Sequence, residues 1–464
     1  MNQSTKVASA AVAVPHFVKG ELLVGGGGKG AHYGKFCTPT LDIDGLVWQR
    51  TEPGPAFSIP IDEVMDVLVA TGERMTADPS GLLAEAFEAM AQVGDLDRGV
   101  LQRAYEHLPK LFSKDWLKFL VQGEVGGADI LDGWRTVTDP SGRTAQYRAF
   151  PPRLVHVLAG NAPGVAAISI IRGALTKGVN LLKLPSNDLF TATAILRTMA
   201  EVAPGHPMTK SFSAVYWKGG DEAVEKYLLR PIFFDKLVAW GGEGSLRSAK
   251  KYIGPGFELV AFDPKTSISM IGREAFASSE RLAEVAEAAA TDICLYDQSA
   301  CTSSRFQFIE ATMEEAEAFC ALLQVEMGKE RLTASGCGMQ APSALREEIE
   351  ALRALEPYYK VFGESDGRGV VILSEDPVDF HPEAKTVNVV IVRTLEDAVR
   401  FVTVATQTVG VFPAERKVGL REKLAAAGAQ RVVTLGSALG GGVGIPHDGF
   451  FPLHRLVRWV TDEC

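Results

Sequence analysis

Residues 153–184 read RLVHVLAGNAPGVAAISIIRGALTKGVNLLKL, and the fold turns on this stretch. An apolar run, Leu154–Leu158, ends in a Gly-Asn-Ala-Pro turn. A helix-length amphipathic segment, Pro163–Lys177, leads to a second apolar run, Asn180–Leu184. Short apolar runs bounded by Gly and Pro read as buried strands, and strand–helix–strand implies a parallel pair with a right-handed crossover. The pattern continues outward. Strands are predicted at Phe212–Trp217, Lys236–Trp240 and Glu258–Phe262, and helices at Asp188–Val202, Asp221–Leu229 and Gly244–Tyr252.

A second series follows. Helices are expected at Glu280–Ala290, Met313–Met327, Ala344–Leu355, Leu395–Ala405 and Arg416–Ala427. Strands are expected at Arg305–Ile309, Val370–Leu373, Asn388–Val392, Val409–Phe412 and Arg431–Leu435. Before residue 150 the pattern is mixed, with helical spacing at Asp62–Ala70 and Gly81–Val93. The run GGGGKG at 25–30 lacks the register of a phosphate loop and reads as a turn between two early strands. The chain is therefore expected to be α/β, with two lobes joined near residues 263–275, each a mainly parallel sheet covered by helices.

Composition narrows the chemistry. A net charge of −10 argues against a whole-protein nucleic-acid footprint. The six cysteines, Cys37, Cys294, Cys301, Cys320, Cys337 and Cys464, form no C-x-x-C pair, and the eight histidines form no H-E-x-x-H. No disulfide framework and no metal site are expected. The longest apolar candidate, Leu154–Leu175, is interrupted by His156, Asn161, Pro163 and Arg172, so no membrane span is expected. Reduced thiols and the absence of a secretory pattern point to the cytoplasm.

Cys301 lies in Asp297-Gln-Ser-Ala-Cys-Thr-Ser-Ser-Arg305. Cys294 and Cys320 have the apolar neighbours of buried structural cysteines. Cys301 instead has small polar neighbours and a nearby arginine, a setting that favours thiolate; a plain loop cysteine is the other reading. Asn161 follows a strand and precedes a helix, where an amide either stabilises an oxyanion or caps the helix. Lys183 ends an apolar strand at the edge where parallel sheets bind ligands. Gly241 and Gly242 open a strand–helix junction that either faces a phosphate or simply turns the chain. His447, in His-Asp-Gly on a loop, is a poor packing unit and a candidate proton donor.

Together these segments are more specific than any one of them. Asn161-Ala-Pro-Gly, Lys183-Leu-Pro-Ser, Ala239-Trp-Gly-Gly, Asp263-Pro-Lys-Thr-Ser267 and Gln298-Ser-Ala-Cys-Thr-Ser-Ser-Arg305 resemble, in order and spacing, the aldehyde dehydrogenase superfamily. Thr408-Val-Gly-Val-Phe-Pro413, Ile445-Pro-His-Asp-Gly449 and Pro452-Leu-His-Arg-Leu-Val-Arg-Trp459 narrow the resemblance to LuxC-type acyl-CoA reductases, from about residue 150 to the end.

The resemblance implies roles. Cys301 matches the acyl-accepting nucleophile, Asn161 the oxyanion amide, Lys183 the lysine on the adenosine ribose, and Gly241 and Gly242 the turn beside the pyrophosphate. Residues 151–268 are then the nucleotide-binding lobe and 269–440 the catalytic lobe. Residues 1–150 add to the cofactor lobe, and 441–464 return to it.

Two departures from the superfamily pattern are informative. Ser186 stands where NAD-preferring members often carry Glu, which favours NADPH. Ala261 stands where oxidising members carry the water-activating Glu, and Glu258 is out of register. The expectation is an NADPH-dependent reductase, taking an acyl-CoA through an acyl-cysteine to the aldehyde and free coenzyme A. The resemblance also implies a homo-oligomer, dimer or tetramer. The competing readings are an oxidative aldehyde dehydrogenase and a cysteine acyltransferase or thioesterase that moves no hydride.

Overall fold

A computed structural model of the chain describes residues 11–25, 30–440 and 444–463. Most of the early glycine run (26–29), residues 441–443 of the later one and Cys464 lie outside the described residues.

Two seven-stranded sheets organise the chain. The first runs Glu258–Phe262, Lys236–Trp240, Arg153–Val157, Val179–Lys183, Phe212–Val215, His16–Val18, Glu21–Leu23. The first five strands are mutually parallel, and the two N-terminal ones continue the sheet antiparallel. Alternate residues of one strand enter opposite cores. Leu182 packs with Ile170 and Ile195 of the helices Gly164–Leu175 and Thr191–Val202. Leu181 packs with Leu228 and Leu246 of the helices Glu222–Leu228 and Glu243–Lys250. Burial on both faces is why these strands read as unbroken apolar runs.

The second sheet runs Lys360–Phe362, Val370–Ser374, Thr386–Ile391, Ser304–Ile309, Thr266–Ile271, Thr406–Phe412, Arg431–Thr434, parallel except at its first edge. Thr266–Ile271 narrows the expected joint at 263–275 to 263–265, because it is an inner strand of this sheet. Its sequence carries Ser267 and Ser269. Here those serines are buried and bonded: Ser269 Oγ lies 2.8 Å from Ser304 Oγ, and Ser267 Oγ donates to the Cys301 carbonyl at 2.9 Å. The ladder slips at Ser267 on both sides. Ser304 to Phe306 spans one residue more than Ser267 to Ile268, and Thr406 to Val409 one more than Thr266 to Ile268.

A second correction concerns the helix expected at Leu395–Ala405. It is a single turn, Leu395–Ala398, followed by a 3-10 turn, Val399–Phe401. Thr406 Oγ1 accepts from the Thr403 N–H at 3.0 Å and the Thr406 N–H donates to the Thr403 carbonyl at 2.8 Å, a local turn that competes with the helix. The next strand therefore starts at Thr406, three residues before the expected Val409.

The C-terminal strand Arg458–Glu463 pairs with Thr144–Phe150, which leads into the first sheet. Among the described residues no helix is long and apolar enough to cross a membrane.

Candidate active site

Three segments singled out in the sequence follow three adjacent strands of the first sheet. Asn161 comes after Arg153–Val157, Lys183 ends Val179–Lys183, and Gly241 follows Lys236–Trp240. The C-terminal edge of a parallel sheet is its ligand edge. That edge meets the start of the second sheet, because Asn161 Nδ2 donates to the Ser299 carbonyl at 3.0 Å, two residues before Cys301.

Cys301 sits between the helix Ser279–Ile293 and the strand Ser304–Ile309. Its loop is forced. Tyr296, Asp297 and Gln298 have φ of +50°, +51° and +69°, a left-handed run that L-residues resist. Side chains hold it in place. The Asp297 carboxylate accepts from the Ser335 N–H at 2.9 Å and hydroxyl at 2.8 Å, with Lys385 Nζ at 3.4 Å. Gln298 clamps Thr386, accepting its N–H at 3.0 Å and donating to its carbonyl at 2.7 Å. The Arg305 guanidinium donates to the Gln298 carbonyl at 3.0 Å and to the Pro382 carbonyl.

Cys301 reaches the surface, yet protein crowds the sulfur enough for desolvation to raise its pKa, with the Asp448 charge adding to the effect. The Gln407 amide and the backbone N–H groups of Cys301 and Thr302 pull the other way. Arg305 and Arg431 are the cations that sense a charge there. Cys294, by contrast, is buried, and burial pushes its thiol up to about 11.

Lys183 lies half-buried, its ammonium 5.7 Å from the rings of both Tyr216 and Trp217. Among the described residues its one hydrogen bond, to the Leu184 carbonyl, is long at 3.4 Å. Donors therefore remain for a ligand's hydroxyls, which fits a dinucleotide. Ser186 is exposed on the same loop. Gly241 has φ +152°, and Gly242 caps the helix Glu243–Lys250 with open space where a Cβ would stand, so backbone N–H groups are accessible.

His447 is held as a neutral ring. It lies 5.6 Å from Trp240 and 5.3 Å from Phe262, with Nδ1 3.4 Å from Arg172 Nη2 and Nε2 3.8 Å from Asp448. Burial, then Arg172 and Arg431, push its pKa down to about 3. Its chemistry near neutral pH is that of an N–H donor or an imidazole acceptor.

The loop carrying His447 is seated by the helix Lys114–Val125. A Cβ on Gly123 would stand 2.2 Å from the Gly444 carbonyl, and one on Gly444 2.8 Å from Phe119. Glu124 on the same helix accepts the Leu453 N–H.

Glu258 is committed elsewhere, to Lys236 at 2.9 Å and Arg455 at 2.7 Å. His381 and Glu383 flank the Pro382 that receives Arg305, and the Glu383 charge favours the charged guanidinium.

Sequence reasoning missed Gln407, Asp448, Ser267 and Arg172. Ser267 and Asp448 lie inside recognised segments and Gln407 one residue before another, so the signal was position. Their roles come from packing.

A family model for acyl-CoA reductase (LuxC) matches residues 56–459. The long-chain acyl-protein thioester reductase of Vibrio harveyi is 32% identical over 360 residues, 76% of this chain and 72% of that one. The enzyme of the same name from Photorhabdus luminescens is 32% identical over 357 residues, with the same coverage. Among solved structures, an oxidoreductase from Marinobacter aquaeolei matches with a TM-score of 0.70 at 14% identity over 100% of both chains. An NAD-dependent benzaldehyde dehydrogenase from Corynebacterium glutamicum matches at 0.71 and 13%, over 98% of this chain and 99% of that one. The structural matches establish an aldehyde-dehydrogenase-like fold, and the family model with its relatives establishes the lineage within it: this chain belongs to the acyl-CoA reductase (LuxC) family of oxidoreductases.

Proposed function

We propose that the protein reduces a long-chain acyl-CoA to the aldehyde and free coenzyme A through a thioester on Cys301, with NADPH as reductant. The observation that carries this reading is the Asn161–Ser299 hydrogen bond, which brings an amide of the nucleotide-side edge against the cysteine loop.

In the first half-reaction the Cys301 thiolate attacks the thioester carbonyl, and Asn161 with the Cys301 N–H receives the oxyanion. The C–S bond to the carrier breaks, its thiolate takes a proton, and the acyl group remains on Cys301. NADPH, when bound, supplies a hydride to that acyl carbon. Asn161 again faces the oxygen. Collapse returns the electron pair to Cys301 sulfur and releases the aldehyde. Lys183 holds the adenosine ribose, and the absence of a carboxylate at Ser186 leaves room for a 2′-phosphate. Glu258, bound to Lys236 and Arg455, is not free to activate water, which favours reduction over hydrolysis.

Exposed apolar side chains gather where the helix Lys114–Val125 meets the loop bearing Asp448. Trp116 and Phe119, their rings 6.1 Å apart, are each 49% exposed, and Ile445, next to the Gly444 that packs on Phe119, is exposed as well. Such a patch fits an alkyl chain. An acyl-protein donor is the second reading, favoured by the names of the relatives. A panel of acyl-CoAs beside an acyl-protein thioester, followed by NADPH oxidation and thiol release, separates the two. Thiol release without NADPH oxidation overturns both.

A further inference from the structure

We infer that the Gln407 side-chain amide is a catalytic group of this site: it donates a hydrogen bond to the Cys301 thiolate, and Asp448 fixes which end of the amide faces the sulfur. This rests on the reading of Cys301 as nucleophile and adds a group to it.

Three observations converge on Gln407. It lies in the one-residue slip of Thr406–Phe412 against Thr266–Ile271, and an extra residue in a ladder re-aims a side chain. Ser267, opposite the slip, joins the two segments: its hydroxyl accepts the Thr408 N–H at 3.3 Å and donates to the Cys301 carbonyl at 2.9 Å. The residue after Gln407 is thus one hydroxyl away from the backbone of the cysteine.

Gln407 is 4% exposed, and its Nε2 donates to Asp448 Oδ1 at 2.5 Å. An ionised carboxylate only accepts, so it selects the NH₂ end. That end carries two hydrogens; Asp448 takes one, and the second is left for the Cys301 sulfur, whose thiolate the Gln407 amide favours. Meanwhile Gln407 Oε1 is buried with no hydrogen-bond partner among the described residues. A buried amide oxygen left unpaired calls for an explanation, and the demand on the NH₂ end supplies one.

Asp448 is built for this anchoring. It adopts φ +52° in the turn His447–Phe450, whose ends exchange backbone hydrogen bonds at 2.8 and 3.2 Å. The charged and titratable groups around it are Lys265, Asp263, Arg172 and His447. Those facing Cys301 are Asp448, Arg305 and Arg431. Asp448 is therefore a positioning residue, and its negative charge alone opposes the thiolate.

The test is the pH dependence of iodoacetamide alkylation of Cys301 in the full chain, mapped by peptide mass because Cys337 is also exposed. Gln407→Met, similar in size without the donor, is expected to raise the apparent thiol pKa by about one unit. Alkylation at pH 7 then slows about tenfold, with the Cys337 profile unchanged. Gln407→Glu, the same size with the donor replaced by an acceptor, raises it further and serves where the Met variant does not fold. Asp448→Asn keeps an acceptor and loses the charge, so the thiol pKa falls. Asp448→Ala loses both, so its pKa lies above that of Asp448→Asn. A Gln407→Met profile that superimposes on the native one overturns the inference, and so do coincident Asp448→Asn and Asp448→Ala profiles. Thioester reduction that survives Cys301→Ala overturns the nucleophile itself, a separate result.

Discussion

The side-chain amide of Asn161 and the backbone carbonyl of Ser299 meet at 3.0 Å, although 138 residues separate them. One residue follows a strand of the first sheet, and the other precedes a strand of the second. That single bond sets the amide proposed as the oxyanion donor beside the cysteine loop. Replacing Asn161 with Ala is expected to lower kcat for thioester reduction about 100- to 1000-fold, with a smaller change in KM. Steady-state kinetics check this, and a KM-only effect contradicts the role.

The proposed preference for NADPH rests on Ser186. Ser186→Glu places a carboxylate on the exposed loop beside Lys183. It repels a 2′-phosphate and accepts from free ribose hydroxyls. The ratio of kcat/KM for NADPH over NADH is expected to fall about tenfold or more. An unchanged ratio removes Ser186 from the cofactor site.

The proposed alkyl site is the exposed face of the helix Lys114–Val125. Trp116→Ala with Phe119→Ala is expected to raise KM for a long-chain thioester about tenfold while leaving a four-carbon one unchanged. Equal effects on both contradict the patch as an alkyl site.

Acid stability depends on buried histidines. His156 is 1% exposed, with Nε2 3.0 Å from Asn180 Oδ1, and burial pushes its pKa down to about 4. Below pH 6.5 the unfolded chain gains a proton that folded His156 refuses until about pH 4. The folded state therefore loses roughly 1.4 kcal/mol per pH unit on this account as pH falls through that window. Asp188 and Asp292, with pKa values pushed up to about 6, act in the opposite direction but equally in native and variant. His156→Gln is expected to show a shallower loss of stability between pH 6.5 and 4 in denaturant titrations. An identical slope contradicts a neutral His156.

How much of this was legible in the sequence follows from burial. The five parallel strands of the first sheet fall within a residue or two of their expected bounds, since both faces are packed and the apolar runs are continuous. Thr266–Ile271 escaped because buried serines look like a loop until their partners, Ser304 and the Cys301 carbonyl, are in place. Cys301, Asn161 and Lys183 stood out because each sits at a strand end in a recognisable segment. Gln407 did not. Its position depends on a one-residue slip and on a turn 41 residues away that delivers Asp448, and neither leaves a local pattern.

The most direct measurement follows NADPH oxidation and thiol release together on long-chain acyl-CoAs, for the native chain and Cys301→Ala. Equal amounts of both products are expected from the native protein and neither from the variant. Activity surviving in Cys301→Ala contradicts Cys301 as the nucleophile.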